Sequence, residues 1–259
     1  MTESQAGGLA ARLLGLQAIL SFDKAQGLGF AFAIEPRIRR LFPAADERKR
    51  ALRRHFEFFN THPYLAGLVL GMTCSLEEDA ARAGPKERAE KEERVVTLKR
   101  AVAAALAGIG DALFWATLRP CAAALALALG AILWPAGPER AAAWGVAAYL
   151  ALFNLPVLAL RLRGVWWGYI WKERVVERLT AIHWQAWRGR ISYGGTFLIV
   201  AGLAARCMLM PGGWAAPIVT ATALWGLLVF ESYGVTAGRL YAGACVLGTL
   251  VRAASGDGP

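Results

Sequence analysis

The chain has 259 residues, 56% of them hydrophobic, with ten tryptophans and a mean hydropathy of +0.39, which is more apolar than a soluble domain of this length requires. Its formal charge of +10 would suit phosphate contacts along a nucleic acid. The basic residues, however, crowd into 37–54 and 161–190 beside apolar runs, as in the cytoplasmic loops of a membrane protein, and no nucleic-acid partner is expected.

Residues 1–20 lack a basic start and a small-residue cleavage site. No secretory leader is expected, and the amino terminus is placed in the cytoplasm. The apolar pieces 11–22 and 26–34 are too short to span; Gly27 and Gly29 are expected to break the second and Pro36 to end it. A basic amphipathic helix is predicted after Pro43, with Asp46 and Glu47 in its first turn and Leu52, Phe56 and Phe59 along one face. Such a helix suits a membrane surface or a partner.

The run 65–76 is uncharged but only 12 residues long, a length that suits a re-entrant or buried segment. Residues 77–100 read as a charged helical link around "GPKE". In 106–120, "LAGIGDALFWATLRP", Asp111 and Arg119 interrupt apolar sequence just after Gly108 and Gly110. Two short apolar segments interrupted in this way point to a transporter's substrate site. The uncharged runs 120–137, 141–160 and 207–230 approach the roughly 20 residues that cross a bilayer as a helix. Spanning helices are predicted at 121–134, 141–160, 191–210 and 213–230, with a fifth at 238–251 and a basic cytoplasmic loop at 161–190.

The predicted class is an all-α integral membrane protein with amphipathic amino-terminal helices, re-entrant helical segments and four to five transmembrane helices. Its regions are an interfacial part (1–63), re-entrant segments with a charged link (64–120) and a transmembrane part (121–259).

Several chemistries find no support. There is no GxxxxGK[ST] loop, no GxSxG, and no HExxH among His55, His62 and His183. Cys74, Cys121, Cys207 and Cys245 are widely spaced in apolar surroundings and form no CxxC pair, so neither a metal nor a cofactor is expected. The candidate binding groups are Glu57, Asn60, Thr61 and Asp111. On a helix, 57, 60 and 61 would share a face, and a carboxylate, an amide and a hydroxyl together suit the hydroxyls of a sugar. Glu57 could equally pair with Arg53 or Arg54, with Asn60 and Thr61 ending the helix before Pro63. Asp111, costly in lipid, could face a ligand, pair with Arg119 or Lys99, or cap the helix that follows.

Four blocks in order, "LSFDKAQGLGFAFAIEPRIRRLFP", "RRHFEFFNTHPYLAGLVLGMTCSLEE", "LAGIGDALFWATLRP" and "FNLPVLALRLRGVWWGY", resemble the hallmark blocks of the IID subunit of mannose/fructose/sorbose-type sugar phosphotransferase systems. The resemblance covers about residues 16–172 and departs from the family at "AVAAAL" (101–106) and in a divergent carboxyl-terminal half. It implies a multi-pass permease subunit of the bacterial inner membrane that pairs with a IIC subunit in a trimer of IIC–IID pairs among lipid. It also implies that IIA and IIB phosphocarriers phosphorylate the hexose-type sugar and that IID itself carries no phosphorylated residue. The alternative is a structural or regulatory membrane subunit that keeps the fold without transporting.

Overall fold

The structure, a computed structural model, describes residues 1–181 and Gly194. Apart from Gly194, the expected spans beyond residue 190 fall outside the described residues, as do His183, Cys207 and Cys245. Every named element among the described residues is helical.

Helix α1 (Glu3–Leu13) starts on a capping box: the Gln5 amide donates to Thr2 Oγ1 (3.3 Å) and the Thr2 amide to Gln5 Oε1 (3.2 Å). Its Ala6, Leu9, Ala10 and Leu13 recur at helical spacing and are buried. Helix α2 (Gly27–Leu41) corrects two expectations, because Gly27 and Gly29 open it and Pro36 lies inside it. Proline has no N–H to give the carbonyl one turn back. Here that carbonyl, Phe32 O, accepts Nε and Nη2 of Arg12 from α1 (3.0 and 2.7 Å). A side chain twenty residues away replaces the missing bond, so the helix continues.

Helix α3 (Ala45–Arg53) is the predicted basic helix, but it stops at Arg53. The short apolar run becomes α4 (Ala66–Ala81), which extends past the expected end through Glu77 and Glu78 and is buried on nearly every face. Gly84 then turns the chain into α5 (Pro85–Gly110), with Pro85 in the first turn, where its missing N–H costs nothing. The backbone widens into a π-helical stretch, Asp111–Leu118, and continues as α6 (Arg119–Leu133). After a 3₁₀ turn (Trp134–Ala136), Gly137 at φ +120° reverses the chain into α7 (Pro138–Trp171). This helix runs through 161–171, where a loop was expected. A further 3₁₀ turn (Lys172–Arg174) leads to α8 (Val175–Thr180).

Two continuous helical stretches among the described residues, Pro85–Gly130 and Pro138–Thr180, are long and apolar enough to cross a membrane. The protein is an all-α membrane protein. Its chain divides into two compact units, Met1–Ala123 with Ala147–Gly195, and Ala124–Val146 with Thr196–Pro259. In the second unit, the described part is the 124–146 turn region, where a Cβ on Gly145 would sit 2.9 Å from Ala126 O.

In the first unit α4 and α7 pack through paired small-residue motifs, Gly67-x-x-x-Gly71 and Gly164-x-x-x-Gly168. A Cβ at Gly71 would overlap Val165 O, and one at Gly168 would overlap Leu68 O. The two backbones touch directly, the arrangement that lets helices associate where lipid supplies no hydrophobic drive.

Past the apolar part of α4, and outside both candidate spans, Glu77 is fully buried and receives a fork from Arg54 (2.7 and 2.5 Å) and a contact from His55 Nε2 (2.9 Å). Burial alone would raise this carboxyl, but the bonds from Arg54 and His55 outweigh it and bring it to about 2. Burial also pushes the His55 imidazole below its usual range. Because the Glu77 value is depressed, its stabilising contribution is complete above the unfolded carboxyl range and is lost only as pH falls towards 2. Glu77→Gln leaves the Arg54 charge poorly compensated. It is expected to cost roughly 3 kcal/mol, read as a melting temperature several degrees lower in the detergent-purified chain; an unchanged melt would refute this role for the ion pair.

Candidate functional site

The segment 54–65 between α3 and α4 is not helical, so Glu57, Asn60 and Thr61 do not share a helix face. Its backbone bonds go elsewhere. Phe59 N donates to Lys24 O (3.2 Å), Gln26 N donates to Phe59 O (2.9 Å), and the Gln26 side chain both donates to Thr61 O (3.0 Å) and accepts from Thr61 N (3.1 Å). With those groups taken by the 24–26 loop, helical i→i−4 bonds cannot form there. Phe59 is buried against Phe30, ring centroids 4.3 Å apart.

This tip runs alongside α5. Lys99 Nζ donates to Arg54 O (2.6 Å), Arg100 Nη2 donates to Glu57 Oε2 (2.7 Å), and at the far end Gly110 packs against the His62 ring. From Arg100 to Gly110 the helix advances about 15 Å, so the tip travels from the charged end of α5 to its apolar end. Glu57 therefore pairs with Arg100, and neither Arg53 nor Arg54 is its partner. Asn60 is exposed and its side chain makes no hydrogen bond among the described residues. Thr61 is turned inward, with Oγ1 buried and unpartnered. Glu57 and Asp111 lie near opposite ends of this path, so the four predicted residues are strung along α5 and do not converge in one pocket.

The deep end of the tip is an aromatic box that spacing alone did not reveal. The His62 ring is buried, stacks on Phe114 (4.9 Å between centroids, 18° between planes), and meets Tyr64 edge-on (4.9 Å) and Trp115 at 5.7 Å. Gly110 makes this possible, because a Cβ there would overlap the imidazole. Asp111 opens the π-helical stretch with its side chain 67% exposed, and its Oδ1 stands 4.0 Å from His62 Nε2. It pairs with neither Arg119 nor Lys99: Arg119 lies over the Trp115 ring (5.4 Å) and Lys99 binds the Arg54 carbonyl. His62 Nε2 is buried with no hydrogen bond.

From α7, Arg161 places its guanidinium over the Tyr64 ring (5.0 Å), and its Nε is also buried and unpartnered. A cation inside an apolar helix is a functional signal in a membrane protein. Arg161 was legible only as one charge of a basic stretch, because α7 was expected to end before it. The exposed Asn60 amide can donate to and accept from hydroxyl groups and the Asp111 carboxylate can accept from them, while the exposed Trp115 ring and the partly buried Tyr64 ring offer an apolar wall for a sugar's C–H face.

The model of the mannose/fructose/sorbose family IID component of the PTS system matches residues 1–222. The chain belongs to this family. The mannose-specific EIID component of Escherichia coli K12 is 39% identical over 174 residues, covering 65% of this chain and 56% of the relative. The fructose permease IID component of Bacillus subtilis is 30% identical over 183 residues, covering 70% and 62%. This IID component thus spans little more than half the length of the curated relatives it matches. A chain in the cryo-EM structure of the mannose transporter ManYZ with microcin E492 superposes with a TM-score of 0.56 at 30% identity, covering 99% of this chain and 97% of that one. A second structure, described as a membrane protein, gives a TM-score of 0.65 at 30% identity, covering 98% and 97%.

Proposed function

We propose that this IID component is half of a sugar permease in the bacterial inner membrane. With a IIC partner, as a trimer of such pairs, it binds a hexose-type sugar and carries it across, and IIA and IIB proteins phosphorylate the sugar on the cytoplasmic side. The observation that carries this reading is the tip 57–62, a polar segment led down α5 towards its apolar end with the Asn60 amide free at its surface. Non-helical backbone at membrane depth needs a cavity or a protein partner to receive it, and a sugar site shared with IIC supplies both. Asn60 donates to and accepts from neighbouring hydroxyls, Asp111 accepts at the deep end, and Trp115 and Tyr64 form the wall. Glu57 holds the tip to α5 through Arg100. Thr61, fixed by Gln26, sets the direction in which Asn60 projects.

The test is phosphoenolpyruvate-dependent uptake of labelled hexoses in cells that lack their own sugar phosphotransferase permeases and co-express IIC, IIA and IIB with or without this chain. Sugar phosphate is expected to accumulate only with the chain present. Equal uptake without it would show a subunit that does not transport.

A further inference from the structure

A cleft of about 290 Å³ opens between α1 and α2, away from the tip. Ser4, Gly8 and Arg12 line it from one face of α1, and Arg37 and Arg40 line it from α2. Its lining thus includes three arginines and no acidic residue. Two of these are held from behind. Arg12 is bonded to Phe32 O and lies 3.7 Å from Glu35, and Arg37 is ion-paired to Glu78. Arg40 is exposed and makes no ion pair among the described residues. Arg37 is 9% exposed overall, and its Nε is buried without a hydrogen-bond partner. Guanidinium groups fixed in this way form a fork that suits phosphate oxygens.

A second feature points to the source of the phosphate. The Arg12 guanidinium lies 3.8 Å above the ring of Phe32, which is itself exposed. Leu14, Ile19, Leu20 and Phe22, directly after α1, are all at least half exposed, and Phe22 has no cover at all. A basic cleft bordered by uncovered apolar side chains has the layout of a segment lying in the headgroup layer of an anionic leaflet.

We infer that the α1–α2 cleft is a binding site for the phosphodiester headgroup of an anionic phospholipid, with the apolar loop 14–22 resting among the acyl chains beside it. The site is separate from sugar transport and uses none of the residues assigned to it. Arg12 and Arg37 are preset by their backbone and carboxylate partners, and Arg40 closes on the headgroup from the exposed side.

The experiment uses the full chain, purified in detergent and titrated with phosphatidylglycerol, with phosphatidylcholine, or with inorganic phosphate. Bound lipid is counted by native mass spectrometry and stability is read by thermal melting. Phosphatidylglycerol is expected to remain bound and raise the melting temperature, whereas phosphatidylcholine does neither. Arg40→Gln is expected to weaken phosphatidylglycerol binding roughly fivefold, as removal of one surface guanidinium should, without moving the lipid-free melt. Gly8→Glu places a carboxylate in the wall at a position where a Cβ meets nothing within 4 Å, and it is expected to weaken binding further in a chain that still folds. The inference fails if phosphatidylcholine binds as well as phosphatidylglycerol, or if both variants retain the lipid. Inorganic phosphate reproducing the full stabilisation would overturn the lipid as occupant and leave a simple anion site.

Discussion

Gly71→Leu and Gly168→Leu are each expected to abolish accumulation of the folded chain in the membrane. At both positions the α4 and α7 backbones meet, and the first side-chain carbon would overlap a carbonyl oxygen of the facing helix. Over-packing in a tolerant core costs about 1–3 kcal/mol. Here both walls are helical backbone, so relief requires the helices to separate and the cost exceeds about 3 kcal/mol. Separation would also dismantle the Arg37–Glu78–Tyr169 contacts that tie α2, α4 and α7 together. The control is Gly108→Ala, where a Cβ meets nothing within 4 Å and a mid-helix glycine is exchanged for a better helix former, a gain of roughly 0.5–1 kcal/mol. Membrane levels and size-exclusion profiles are the readout; a Gly71→Leu chain that accumulates and elutes like the parent would refute the close α4–α7 contact.

Asn60→Ala is expected to cut uptake roughly ten- to a hundredfold while leaving the amount of assembled chain unchanged. The side chain is exposed and bonded to nothing in the described protein, so its removal creates no cavity and strands no partner. In the loaded site it would be desolvated, and removing one partner from a desolvated hydrogen bond costs about 1–3 kcal/mol. His62→Gln is the informative companion, because glutamine keeps a planar polar group in the box and His62 Nε2 has no protein bond to lose. It is expected to transport nearly as well as the parent. Normal transport by Asn60→Ala together with a dead His62→Gln would move the chemistry to the aromatic box.

Much of the architecture was legible because apolar run length is a local property. The run 65–76 became the core of α4, and the runs from 120 and from 141 became the body of α6 and α7. What escaped depended on distant partners. Pro36 stays inside α2 because Arg12 supplies the bond that proline cannot, and nothing near residue 36 announces this. The helix expected to carry Glu57, Asn60 and Thr61 is absent because the 24–26 loop captures the backbone of 59 and 61. The two small-residue motifs at 67–71 and 164–168 could be read singly, but only the fold shows that they face each other. At the site, residue types were legible while convergence was not. Glu57 is held by Arg100 and stands far from Asp111 along α5, and the His62–Phe114–Trp115 box joins two segments distant in sequence at a backbone widening that composition does not encode.

That widening, Asp111–Leu118, bears on how the chain can change length. Turns closed from i to i+5 hold more residues than α turns need, and the Thr117 hydroxyl already donates to the carbonyl five residues back, Ala112 O, at 2.8 Å. Loss of a residue within this stretch can be absorbed by tightening one turn to α, leaving α5 and α6 facing the same directions as before. A loss elsewhere in the same helical rod would rotate everything beyond it by about 100°. The eight residues beside the proposed sugar site are thus a stretch that can lose a residue without re-aiming the helices on either side.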